Sequence, residues 1–123
     1  MIQGLGSDLC PAARWAHLIA RFGGEKACRK VLHPEEAAYL IAGNRERLPE
    51  RMAGRWALRE AFGKALGVGL NGWSWKELRF KNGRMWAEGT LAERLAAQGV
   101  TRLHATVAHD GGIAFAVVIL EGG

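Results

Sequence analysis

From about Glu50 to Leu66 the sequence has the period of an α-helix but no side suited to water, and that restricts the fold more than any other feature. At about 100° per residue, Glu60 and Lys64 share a face with Ala53, Trp56, Ala57 and Gly67, while Leu58, Phe62 and Ala65 stand opposite. A surface helix keeps one polar face. This one has apolar neighbours on both sides, so it is expected to run through the middle of the molecule or into an interface, with Gly67 as its stop.

The flanking segments read as short elements arranged around that helix. Met1 to Leu5 reads as a strand, Gly6-Ser7-Asp8 as a turn, and Pro11 as the first position of a helix. Trp15, Leu18, Ile19 and Phe22 recur at i, i+3, i+4 and i+7 up to Gly23-Gly24, which places Arg14, His17 and Arg21 on the opposite side. A second short helix is expected from Pro34 to about Gly43, followed by a polar loop from Asn44 to Pro49. Beyond Gly67, Ser74 to Phe80 alternates like a strand, and Asn82-Gly83 is a hairpin turn leading into Met85 to Ala87. Thr90 and Glu93 have the spacing of a capping box for a helix ending at Gly99. The chain closes on a hairpin, Arg102 to Ala108 and Ile113 to Leu120 around Asp110-Gly111-Gly112. The second of those strands is almost wholly apolar, the pattern of a central strand covered on both faces. The expected class is α+β, a small antiparallel sheet packed against a long central helix and shorter helices. With 123 residues and no linker or repeat, residues 1–123 are expected to form a single domain.

Composition excludes several functions. Cys10 and Cys28 form no C-x-x-C pair, and His17 and His33 do not complete a zinc set with them, so two reduced thiols in a cytoplasmic protein are expected. No basic leader or apolar stretch of membrane-spanning length is present. Net charge is +5 and uneven: residues 1–67 hold 11 Lys and Arg against 7 Asp and Glu. The first half therefore faces an acidic partner. An RNA- or DNA-docking module would need exposed aromatics beside those arginines, but Trp15 and Phe22 lie on the apolar side of their helix. No nucleic acid and no membrane is expected as a partner.

Chemistry points to the long helix. Glu60 and Lys64 at i,i+4 form on their own an ordinary helix ion pair, yet a carboxylate among tryptophan, alanine and glycine must be paired or metal-bound. Asp8 is the candidate second carboxylate, and alone it reads equally as a turn or capping residue. Two carboxylates with phosphate oxygens and water make a magnesium site. Gly67-Val68-Gly69-Leu70-Asn71-Gly72 spells a dinucleotide fingerprint, but it follows a helix instead of a strand, so a connecting loop is expected. Arg29 and Lys30 could extend the basic stripe of the first helix. His104 and His109 are weak signals on the last hairpin, and both cysteines read as packing residues.

Three segments together resemble the holo-acyl-carrier-protein synthases, a family of 4'-phosphopantetheinyl transferases, and they span nearly the whole chain in that family's order. GLGSDLCPAARW supplies Gly4, Gly6, Asp8 and Arg14. RWALREAFGKALG supplies Arg55, Glu60, Ala61, Lys64, Ala65 and Gly67, and HATVAHDGGIAFAVVILE supplies His109. Departures are Arg59 for the usual lysine, Trp56 for phenylalanine, Ala108 for serine, and Gly83-Arg84-Met85 in place of Gly-Lys-Pro.

The resemblance implies transfer of the 4'-phosphopantetheine arm of coenzyme A to a serine of an acidic apo acyl carrier protein, releasing adenosine 3',5'-bisphosphate. It also implies a homotrimer with active sites at subunit interfaces. Mg2+ would sit on Asp8 and Glu60, with Lys64 on the transferring phosphoryl and Glu60, directly or through water, taking the serine proton. Arg55, Lys64, Gly67 and His109 would contact coenzyme A, and Arg14 and Arg21 the carrier. A different magnesium-dependent nucleotide hydrolase is the enzymatic alternative, since Asp8, Glu60 and Lys64 alone do not separate the two.

Overall fold

Glycine brings the first strand against the long helix. A computed structural model describes residues 1–123, and in it strand β1 (Ile2–Pro11) runs without a break through the segment expected to turn at Asp8. Gly4 and Gly6 have no positive φ. Instead, a Cβ at Gly4 would overlap the Ala65 carbonyl, and one at Gly6 the Ala61 carbonyl. These glycines let β1 lie directly on the backbone of helix α4 (Leu48–Leu66), so Asp8 sits on a strand rather than on a turn.

Three short helices fill the space between β1 and α4: α1 (Ala12–Phe22), α2 (Gly24–Val31) and α3 (Pro34–Ile41). Helix α2 falls where no helix was expected. Gly23, at φ +89°, breaks the chain between α1 and α2, and Ala27, Cys28 and Val31 give α2 a buried face. Phe22, expected on the apolar side of α1, is 47% exposed, because it is the last residue of that helix and extends past the core.

Helix α4 fulfils its constraint. Met52, Ala53, Ala57, Leu58, Ala61 and Phe62 are fully buried around its circumference, and Gly67 stops it at φ +87°. All 25 buried apolar residues belong to a single cluster, so α4 is the axis of one core. Losing a side chain such as Phe62 would cost about 3–5 kcal/mol.

After α4 come a single 3-10 turn, Trp75–Glu77, and the hairpin β2 (Leu78–Lys81) and β3 (Arg84–Ala87). The expected strand from Ser74 is thus half turn. The hairpin forms at Asn82-Gly83, both with positive φ as a primed turn requires. Helix α5 (Gly89–Ala97) is not capped by a Thr90–Glu93 box. Glu77 reaches over from the preceding turn, accepting from Thr90 N at 3.1 Å, Leu91 N at 3.2 Å and Thr90 Oγ1 at 2.7 Å.

Strands β4 (Val100–Asp110) and β5 (Ile113–Gly122) complete a three-stranded antiparallel sheet in the order β1-β5-β4. Strand β5 is central, as its apolar run predicts. Only one of its faces is covered. Ala114, Ala116, Val118 and Leu120 are buried, whereas Ile113 and Phe115 are 43% and 42% exposed beside Leu5 and Leu9 of β1. One chain has a single layer of helices and nothing to place on the other face. No helix is long and apolar enough to cross a membrane.

Candidate active site

The close approach of β1 to α4 assembles the candidate site. Asp8 pairs in register with Ala116 of β5, so its side chain points with Gly4 and Gly6 toward the helix. Lys64 Nζ donates to Asp8 Oδ1 at 3.0 Å and to the Ser7 carbonyl at 3.0 Å. The expected Glu60–Lys64 ion pair is absent, because the lysine reaches across to the strand. Asp8 is only 11% exposed and its Oδ2 is buried without a hydrogen-bond partner.

Glu60 is half-buried next to this carboxyl. Burial raises its pKa to about 7, and the adjacent Asp8 reinforces the rise, while the Trp56 indole and Arg14 oppose it. Asp8 thus holds the one lysine, which is mostly exposed, and Glu60 has no ion pair of its own. No third acidic, histidine or cysteine side chain joins them. The donors are hard oxygens, one of them buried and unsatisfied, and they leave most coordination positions to water and substrate. That set fits Mg2+ and does not fit zinc.

A groove of about 620 Å³ ends at Glu60. Arg14, Lys26 and Lys30 stand on its rim, and Trp15, Trp56 and Trp75 line it, stacked edge-on at 6.0 and 5.1 Å between successive ring centroids. Lys30 was expected only as an extension of the basic stripe of α1, and Lys26 was not singled out at all. Their signal was the period of α2, where apolar 27, 28 and 31 alternate with basic 26, 29 and 30. Arg21 sits at the end of α1 with its guanidinium 5.1 Å from the Phe22 ring, and Lys26 Nζ is 6.0 Å from the same ring.

The remaining candidates lie elsewhere. Arg55 is five residues before Glu60, about 140° around the helix. Its Nε is 3.5 Å from Glu36 Oε2 and its guanidinium lies over Phe80 at 5.1 Å. The His109 ring rests on Gly54, where an added Cβ would come within 3.1 Å of it. Gly67 caps α4, donating to the Gly63 carbonyl at 3.0 Å, and the glycine-rich segment after it is a connecting loop. His104 pairs with Glu121 at 2.9 Å. Both cysteines are buried in the core and unpaired, and burial pushes Cys28 up to about 11. Within one chain, Asp8, Glu60, Lys64 and Arg14 come together, whereas Arg55 and His109 do not join them.

A family model described as the 4'-phosphopantetheinyl transferase superfamily matches residues 5–118. The chain is 38% identical over 128 residues to a holo-[acyl-carrier-protein] synthase of Anaeromyxobacter dehalogenans, covering 99% of this chain and 98% of that one. It superposes with a TM-score of 0.87 on the crystal structure of holo-[acyl-carrier-protein] synthase from Neisseria meningitidis, at 28% identity, covering 98% of this chain and 99% of the other. The Helicobacter pylori holo-[acyl-carrier-protein] synthase, solved in complex with coenzyme A, superposes with a TM-score of 0.78 at 27% identity, covering 95% and 99%. With its motifs on one strand and one helix of the same architecture, this chain belongs to the 4'-phosphopantetheinyl transferase superfamily.

Proposed function

We propose that the protein transfers the 4'-phosphopantetheine group of coenzyme A to a serine of an apo acyl carrier protein, and that it does so with Mg2+ on Asp8 and Glu60. The observation that carries this is the adjacent carboxyls of Asp8 and Glu60, with Asp8 Oδ2 buried and unsatisfied and Glu60 lining a groove together with Arg14, Lys26 and Lys30, in a chain of this superfamily.

In the reaction the serine oxygen forms a bond to the β-phosphorus of coenzyme A. The bond from that phosphorus to the bridging oxygen breaks, and adenosine 3',5'-bisphosphate leaves. Glu60, directly or through a water, takes the serine proton. Lys64, more than half exposed and held by the Ser7 carbonyl, offers its charge to the transferring phosphoryl. Arg14 and Arg21 meet the acidic carrier and orient its serine toward Glu60. When bound, Mg2+ neutralises the negative charge that develops on the phosphate oxygens.

Arg55 and His109 face away from the carboxylates of their own chain. We assign them to the nucleotide of a coenzyme A molecule held at a neighbouring copy's carboxylates, within a homotrimer whose sites lie between subunits. The uncovered apolar face of β1 and β5 supports that assembly. Phe115→Glu is expected to leave a monomer by analytical ultracentrifugation and to abolish transfer; a wild-type protein sedimenting as a monomer would remove the assembly. The buried, unpaired cysteines fit a cytoplasmic enzyme.

Mixing the protein with coenzyme A, Mg2+ and an apo carrier, then weighing the carrier by mass spectrometry, tests the activity. The expected outcome is a gain of one phosphopantetheine. An unchanged carrier mass sinks the reading.

A further inference from the structure

We propose that Trp75 is the far wall of the carrier groove and selects carriers by their apolar contact, and that Arg59 is the positioning residue that holds it there. This rests on the groove ending at Glu60 being where the acidic carrier docks.

The groove has two unlike walls. Helices α1 and α2 bring the cations Arg14, Lys26 and Lys30 together with Leu18 and Phe22, while the opposite wall is the indole pair Trp56 and Trp75. Glu60 is the single acid in the lining, so the charge of the occupant is set: an acidic segment. Its apolar side must meet the tryptophans. Trp56 is carried by α4 and cannot shift independently. Trp75 belongs to the connection after Gly67, where three glycines with positive φ make the backbone permissive.

Trp75 is nevertheless fixed at several points. Its Nε1 donates to the Leu70 carbonyl at 2.9 Å, and its ring meets Trp56 at 5.1 Å with an interplanar angle of 78°. Its own carbonyl accepts from Arg59 Nε at 3.2 Å. The same guanidinium donates from Nη2 to the Leu78 carbonyl at 2.7 Å and from Nη1 to the Arg55 carbonyl at 3.1 Å. Arg59 thus clamps both ends of the Trp75–Glu77 turn to α4. It is fully buried, with Glu36 at 3.8 Å as its nearest acid. A planar fork with five donors can span three carbonyls; an ammonium presents its donors from one atom and cannot. A full burial of guanidinium for that clamp means that the position of Trp75 is specified from behind the groove.

Steady-state kinetics with separate titrations of carrier and coenzyme A test both parts. Trp75→Ala is expected to raise the carrier KM about tenfold, with smaller than twofold changes in the coenzyme A KM and in kcat, and Trp75→Phe to restore most of the loss. Arg59→Lys is expected to raise the carrier KM selectively, and the double variant to be no worse than Trp75→Ala alone, because Arg59 acts through the tryptophan. An unchanged carrier KM in Trp75→Ala overturns the wall. Additive effects in the double variant, or equal rises for both substrates in Arg59→Lys, overturn the positioning role. If Arg59→Lys does not fold, tryptophan fluorescence on titrating apo carrier decides: the wild-type change must shrink in Trp75→Phe, and an equal change in both overturns the proposal. A wild-type protein that fails to modify any carrier defeats the functional reading itself, whereas a working enzyme indifferent to Trp75 defeats this inference alone.

Discussion

Helix α4 carries two acidic sites on its two sides, and their carboxylates are paired differently. On one side Glu36 of α3 is 3% exposed and faces three arginines: Arg79 Nε at 3.3 Å, Arg55 Nε at 3.5 Å and Arg59 Nη2 at 3.8 Å. Its Oε1 also accepts the Phe80 backbone N–H at 2.7 Å. On the other side a single, half-exposed lysine pairs with Asp8, and the neighbouring Glu60 has no ion pair. Three guanidinium groups converge on the first carboxylate, while the second place holds two carboxyls and one lysine. A buried carboxylate ringed by guanidinium ties the elements that carry those arginines together. A carboxylate pair left short of positive charge is held by the fold in readiness for something else to supply it.

The sharpest way to break this comparison is Glu60→Gln. Transfer is expected to fall about 10⁴-fold, roughly 5 kcal/mol in barrier, while the unfolding midpoint in metal-free buffer stays the same or rises. Retained transfer would show that Glu60 is merely structural. Glu36→Gln should behave in the opposite sense, losing about 3 kcal/mol of stability in denaturant titration, because Arg55 and Arg59 lose their acid while Arg79 keeps only Glu35 and Glu88. If stability falls by less than about 1 kcal/mol, the two sides of α4 are not different in kind. Arg14→Glu is a smaller change: the carrier KM should rise about tenfold, near 1.4 kcal/mol, and more than that of coenzyme A. Equal kinetics for both would leave the rim solvated and idle.

The smallest effect is in pH. A glutamate whose folded-state pKa is raised to about 7 by burial and by Asp8 binds its proton more tightly folded than unfolded. Its contribution to stability is therefore present below about pH 4.5 and is lost as pH rises through 7. Without metal, the melting temperature of Glu60→Gln relative to wild type should climb over that window, and millimolar Mg2+ should close the gap. A difference that does not change with pH means the two carboxyls do not oppose one another.

What the sequence disclosed follows from the range of each interaction. Helix α4, its stop at Gly67 and both hairpins rest on neighbours a few residues apart, and all were legible. The nearness of Asp8 to Glu60 was not, since it depends on β1 crossing α4. The glycines that permit that crossing look, locally, like glycines that turn a chain. Glu77 capping α5 was hidden for the same reason: the cap comes from thirteen residues away, and Thr90 with Glu93 offered a nearer, unused one. Helix α2 was too short, and opened too oddly on glycine, to announce itself. The arginines around Glu36 left no periodic signal, because the cluster is drawn from α3 and β2 as well as α4.

The contact of Gly4 and Gly6 with the carbonyls of Ala65 and Ala61 bears on how tolerant the active site is of change. Side chains packed against side chains can answer a substitution by changing rotamer, so core distances drift as a sequence diverges. Backbone resting on backbone has no such give. The separation of strand and helix here is a hard stop, and the distance between the two carboxylates inherits it. The core can be rebuilt around α4, losing or gaining stability, while the spacing of the two carboxylates stays where those two glycines set it.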